Sequence, residues 1–233
     1  MLVSVCSRRD LYQVGVYLEM TIQAFIFDLD GVLTDTAEYH YQAWQRLADE
    51  EGIPFSREEN DAMRGLARRD SLNVLLKGRV IDEATAQAWM VRKNDYYVAL
   101  LSHISPNDLL PGVSDFLNAA KADGLKLGVG SASKNARPVL EKLNVLSLFD
   151  AVGDGYSVVH GKPAPDLFIW VAGRIGINPT QGVVFEDAAA GVQAAKRGGF
   201  FTVGLGDAAG DGATIKLAGL SGITPREILT RLP

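Results

Sequence analysis

The apolar run Ala24-Phe25-Ile26-Phe27 stops abruptly at Asp28-Leu29-Asp30-Gly31, and this junction restricts the fold more than any other segment. Four consecutive apolar residues suit a strand buried on both faces, the pattern of a parallel sheet covered by helices. Similar units recur at Leu125 to Val129 before Ser131, Gly182 to Phe185 before Glu186-Asp187, and Phe201 to Leu205 before Gly206. Helix-like stretches lie between them at Asn135 to Lys142, Asp166 to Gly176 and Ala188 to Lys196. Alternation of this kind predicts an α/β fold with a parallel-sheet core. Its ligands are expected beyond the carboxyl ends of the strands, where the polar residues stand.

One stretch breaks the alternation. Residues 37–104 hold little that reads as strand and two clear helical pieces, Ala37 to Glu50 and Asp82 to Leu101. An all-helical insertion after the first strand predicts a cap seated on the core. The division expected is a core of residues 20–34 and 107–233 and a helical cap of residues 35–106. Residues 1–19 are read as a possible extension, since Asp10, Gln13 and Glu19 interrupt any signal-peptide core and Met20 opens the strand-like segment. Near the far end, Thr224-Pro225-Arg226-Glu227 predicts a capping box that starts a last helix.

Composition narrows the partners. With 23 Lys and Arg against 28 Asp and Glu, the net charge of −5 disfavours a nucleic-acid binder. No run approaches the roughly 18 apolar residues that cross a bilayer. Hydrophobic residues at 47% are enough to build a core. The single cysteine, Cys6, can form no internal disulfide, which suits a reducing compartment. A cytoplasmic, acidic monomer with neither nucleic-acid nor membrane partners is expected.

Asp28 and Asp30 read as an acidic turn in which Gly31 takes positive φ. A buried strand end is nevertheless a costly place for two carboxylates. One of them could attack a phosphorus or acyl centre, and a hard cation would offset their repulsion. Glu186-Asp187 follows another apolar run and is either helix N-terminal charge or further ligands for the same cation. Ser131-Ala132-Ser133-Lys134-Asn135 is an ordinary N-cap or an anion site at a helix start. Lys162 precedes a Pro-x-Pro segment and either faces water or meets the anion. Each feature alone is ambiguous.

Taken in order, Asp28-Leu29-Asp30-Gly31-Val32, Ser131, Lys162 and Glu186-Asp187 resemble the four motifs of the haloacid dehalogenase superfamily of phosphotransferases. The helical insertion is similar to that superfamily's C1-type cap, which implies a Rossmann-like core. Further segments are similar to its β-phosphoglucomutase branch: Asp30 to His40, Arg64 to Ser71, Arg92-Lys93-Asn94, Ser131 to Asn135 and Lys162 to Asp166.

The resemblance implies Asp28 as nucleophile forming an aspartyl phosphate, Asp30 as general acid and base, and Ser131 and Lys162 as holders of the transferring phosphoryl group. It implies Mg²⁺ bound by Asp28, the Asp30 carbonyl, Glu186 and Asp187, and a small-molecule sugar phosphate as substrate, with β-glucose 1,6-bisphosphate as activator and intermediate. Arg68, Ser133, Lys134 and Asn135 would hold the phosphate that is not reacting. Gly65, Leu66 and Ser71 would approach the sugar, Thr36 would lie at the hinge, and His40 and Lys93 would position the acid. Trp44 reads as core and, by the resemblance, as part of the substrate-binding set. Arg64 departs from the lysine expected there, which keeps charge but changes geometry. Two rivals remain open at this stage, a capped phosphatase of a sugar phosphate or phosphoglycolate and a non-catalytic sugar-phosphate sensor.

Overall fold

The computed structural model describes residues 21–233. The possible extension at 1–19 and Cys6 lie outside the described residues. Six strands form one parallel sheet in the order β3-β2-β1-β4-β5-β6: β1 (Ala24–Phe27), β2 (Lys126–Gly130), β3 (Ala151–Gly153), β4 (Gly182–Glu186), β5 (Phe201–Leu205) and β6 (Ile215–Leu217). The fold is α/β and Rossmann-like. Strand β1 begins at Ala24, not at Met20, and the short edge strands β3 and β6 add to those expected.

Alternate residues of β1 feed two cores. Phe25 and Phe27 pack with Phe116 and Phe185 on one face, and the rings of Phe27 and Phe185 stack with centres 4.7 Å apart. Helix α5 (Val113–Ala122) supplies Phe116 and Leu117 to this side, and α6 (Ala136–Lys142) supplies Val139 and Leu140. Ala24 and Ile26 face the other way, against α7 (Asp166–Ile175) and α8 (Ala189–Arg197). Complete burial of all four β1 residues is the direct consequence of helices on both faces.

Between β1 and α5 every regular element is helical: α1 (Ala37–Glu50), α2 (Arg57–Asp61), α3 (Arg68–Leu76) and α4 (Glu83–Leu100), followed by short 3₁₀ turns. These helices own a third core, in which Trp44 and Leu47 meet Leu72, Leu75 and Met90. The outgoing and returning chain segments run side by side. Thr34 bridges Leu109, the Leu110 N–H donates to the Leu33 carbonyl at 2.9 Å, and the Thr34 hydroxyl donates to the Asp108 carbonyl at 2.7 Å.

The last helix, α9 (Pro225–Arg231), forms with half of its expected capping box. The Thr224 hydroxyl accepts from the Glu227 N–H at 3.2 Å, but the Glu227 carboxylate turns to Arg231 one turn on. The ion pair along the helix takes the carboxylate that would have reached back to the cap.

Candidate active site

Strand order reverses between β1 and β4, and the crevice of a doubly wound sheet opens at such a switch point. The register Phe27↔Phe185 and the hydrogen bond from the Asp28 N–H to the Phe185 carbonyl, at 2.9 Å, set Asp28 beside Glu186 at the strand ends. Asp28, Glu186 and Asp187 are all buried, and each offers a carboxylate oxygen within 4.8 Å of the others. Two glycines make the cluster possible. Gly31 has φ +85°, and a Cβ there would stand 2.0 Å from an Asp187 oxygen; a Cβ at Gly191 on α8 would stand 1.9 Å from Glu186.

Lys162 enters this cluster from the loop before α7. Its Nζ donates to Asp28 Oδ1 at 2.7 Å and to Glu186, with the side chain fully buried. Burial works against the ammonium charge, but Asp28 and Glu186 prevail and hold its pKa above that of an ordinary lysine. Burial pushes the Glu186 carboxyl up to about 8 despite Lys162, and pushes Asp187 up to about 6 with Asp28 adding to the effect. Lys162 meets two of the acids and Arg64 reaches the third, Asp187, so three acids and the nearby Asp30 face two cations in a low-dielectric setting.

Asp30 sits one step out. Its carboxylate accepts from the hydroxyl of Thr36, which is fully buried and so meets the acid and not the cavity. Burial, then the charge of Asp28, raises Asp30 to about 7. Every other expected substrate-side residue lines one cavity between sheet and cap. Asp28, Asp30, Ser131, Ser133, Lys134 and Asn135 form its core wall, and His40, Trp44, Gly65, Leu66, Arg68, Ser71 and Lys93 its cap wall. Lys162, Glu186 and Asp187 stand behind Asp28 and outside this lining.

Cations stand on both walls, Arg68 and Lys93 on the cap and Lys134 on the core. Arg68 donates to the Asn94 amide oxygen at 2.7 Å, and Lys134 lies 4.6 Å from the Tyr156 ring centre. No carboxylate pairs with Arg68, Lys134 or Lys93 among the described residues. An uncommitted guanidinium opposite a nucleophile-bearing strand end is suited to an anion. On the core side the Ser131 N–H donates to the Gly153 carbonyl at 3.0 Å, and the Ser131 hydroxyl accepts from the Ser133 N–H at 3.1 Å. These bonds fix the Ser131–Asn135 loop against β3.

Residues 22–199, from β1 through α8, match the haloacid dehalogenase-like hydrolases. The chain belongs to the haloacid dehalogenase-like hydrolase family. Among its relatives is a β-phosphoglucomutase of Bacillus subtilis (strain 168), 41% identical over 189 residues that span 79% of this chain and 84% of that protein. A phosphorylated carbohydrates phosphatase of Thermotoga maritima is 31% identical over 216 residues, covering 91% and 98%. The crystal structure of a β-phosphoglucomutase from Clostridium difficile superposes with a TM-score of 0.87 at 36% identity, covering 91% of this chain and 97% of that one. The match includes the helical cap.

The cavity of this family member also takes residues to which the sequence reading gave no role, namely Ala37, Asn60, Met63, Asn94 and Ala132. Arg64 lines it too and reaches Asp187 at 3.4 Å, a contact from cap to acid cluster that a shorter reach would not make. A local signal existed for the segment carrying Asn60 and Met63. Ser56 and Glu59 form a reciprocal capping box that starts α2.

His40, half-buried, and Lys93, buried, form a basic pair. Lys93 is 3% exposed, its Nζ donates to His40 Nδ1 at 2.8 Å, and the imidazole stacks on Tyr97 with centres 4.1 Å apart. Burial first, then the charges of Lys93 and Arg68, hold the His40 pKa well below its ordinary 6.5, so the ring accepts as the neutral form. In the unfolded chain His40 binds a proton below about pH 6.5 that the folded chain refuses. Its contribution to stability is therefore present above pH 6.5 and lost as pH falls, with a limiting slope of about 1.4 kcal/mol per pH unit. Melting curves of wild type and His40→Gln between pH 7.5 and 5 should converge toward the acid end. Parallel curves would show that the His40 ring does not resist protonation.

Proposed function

We propose that this enzyme is a β-phosphoglucomutase, interconverting β-D-glucose 1-phosphate and glucose 6-phosphate through an aspartyl phosphate and β-glucose 1,6-bisphosphate. The observation that carries the reading is that Arg68 from the cap and Lys134 and Asn135 from the core line the same cavity as Asp28. A hydrolase needs one phosphate site; a mutase needs a second for the phosphate not reacting at that moment. The β-phosphoglucomutases among its relatives support the same choice.

In this mechanism an Asp28 oxygen attacks phosphorus in line, and the bond from phosphorus to the departing sugar oxygen breaks. Asp30 gives its proton to that oxygen and, in the reverse sense, takes the proton of the attacking sugar hydroxyl. For glucose 6-phosphate to form, the phosphoryl group of the loaded enzyme passes to the 6-hydroxyl of β-glucose 1-phosphate. The bisphosphate then presents its other end, and Asp28 takes back the 1-phosphoryl group. Lys162 and Ser131 hold phosphoryl oxygens during transfer, where negative charge is concentrated. Lys162 serves this role because it is already held charged against Asp28 and Glu186.

The acid cluster fits Mg²⁺. Its donors are hard oxygens, they converge within 4.8 Å, and Lys162 and Arg64 together leave one of the three carboxylates without a cation of its own. Asp28, Glu186, Asp187 and the Asp30 carbonyl would hold the ion. Bound there, Mg²⁺ would neutralise charge on the transferring phosphoryl group.

A second reading, a capped sugar phosphatase, is favoured by relatives of that activity. One assay separates the two. β-Glucose 1-phosphate is supplied with Mg²⁺ and a trace of the bisphosphate, and glucose 6-phosphate and free phosphate are measured together. Isomerisation far faster than phosphate release is expected, and the reverse ratio overturns the mutase. Arg68→Ala should lose isomerisation by on the order of a hundredfold while retaining some phosphate release, since the lost charge-assisted contacts serve the second phosphate. Unchanged mutase kinetics in that variant would remove Arg68 from the second site.

A further inference from the structure

Asn94 on α4 joins three elements across the cleft. Its amide oxygen accepts from Arg68 Nη2 of α3 at 2.7 Å and from Asn135 Nδ2, at the start of α6, at 2.9 Å. Arg68 can only donate, so the oxygen of Asn94 must face it, and Asn135 must present its NH₂ group. Two donors, one from the cap and one from the core, thus converge on a single neutral acceptor at the wall of the cavity. We propose that Asn94 is a positioning residue, whose amide oxygen holds Arg68 and Asn135 at the spacing a phosphate oxygen requires and yields them when the sugar phosphate enters. The inference rests on the reading of Arg68 and Asn135 as donors to the second phosphate.

The chemistry explains why the acceptor is an amide. A carboxylate at position 94 would have the same shape and would bind the guanidinium more strongly. It would also neutralise the charge meant for the ligand and place a like charge beside the incoming phosphate. A carbonyl aligns the two donors without committing either. Preorganisation of this kind lowers the cost of ordering side chains at the moment of binding.

The test contrasts Asn94→Asp and Asn94→Ala with wild type, using glucose 6-phosphate titrated calorimetrically and thermal melts on the same samples. A purely structural acceptor would be served as well or better by aspartate. Positioning for phosphate predicts that Asn94→Asp melts at or above the wild-type temperature yet binds glucose 6-phosphate more weakly by on the order of tenfold or more. Asn94→Ala should weaken binding several-fold, because the donors lose their alignment but meet no repulsion. Wild-type affinity in Asn94→Asp overturns the inference. Should that variant fail to fold, wild-type affinity in Asn94→Ala overturns it equally. Absence of glucose 6-phosphate binding in wild type would overturn the functional reading and this inference together, and so is distinct from failure of Asn94 alone.

Discussion

Asp28→Asn should produce neither glucose 6-phosphate nor free phosphate, with both rates falling by roughly four orders of magnitude or more, while the protein melts no lower than wild type. The two halves of this result have different origins. In the proposed mechanism both mutase and phosphatase routes would pass through attack by the Asp28 carboxylate, and an amide is no substitute nucleophile at phosphorus. Residual turnover of either kind above a hundredth of wild type would assign the attack to another group. Stability follows from the charge balance around Lys162. The ammonium keeps Glu186 as a buried partner and keeps an amide oxygen at position 28. Three carboxylates packed within 4.8 Å become two, which relieves repulsion. Differential scanning of the two proteins without added metal measures this half directly.

The second large effect concerns Asp30. Asp30→Asn should slow transfer from a sugar phosphate by about a thousandfold, within the usual contribution of positioned acid–base groups. An alkoxide is a poor leaving group, and the asparagine amide has no proton to give at neutral pH. The loss should depend on the donor. Acetyl phosphate expels a carboxylate that needs no protonation, so Asp30→Asn should still accept a phosphoryl group from it, visible as a mass increase of the intact chain. Equal loss with both donors would argue that Asp30 shapes the site and does not move a proton. Asp30 already lines the cavity, and the hydroxyl of Thr36, at the start of α1, donates to its carboxylate there.

Much of the core was legible because burial on both faces leaves a short, wholly apolar run. Ala24–Phe27 and Phe201–Leu205 coincide with their expected spans, and the strand ends carry the acids where a doubly wound sheet puts its ligands. Strands β3 and β6 were not legible, since three residues at the outer positions of a sheet give no periodic signal. Lys93 shows another limit. Its sequence neighbours are Arg92 and Asn94, a setting that reads as solvent-facing, yet α4 turns it inward between Trp44 and Tyr97. Asn94 acquires its meaning only through Arg68 and Asn135, which lie on other elements. The local sequence around α4 holds no trace of that convergence. Roles for the cap residues came from resemblance; their common cavity came from the fold.

The paired segments at Thr34 and Leu109 also bear on how the molecule reaches its native state. Strands β1 and β2 are neighbours in the sheet although the whole helical insertion separates them in the chain. Bringing distant residues together early carries an entropy cost that grows with the length of the connecting loop. Because the insertion has its own apolar centre and its two ends meet, its collapse would shorten the free connection between β1 and β2 to residues 28–33 and the α5 segment, residues 110–125. The cap would then act first as an aid to sheet assembly, a clamp on chain entropy, before it ever meets a ligand.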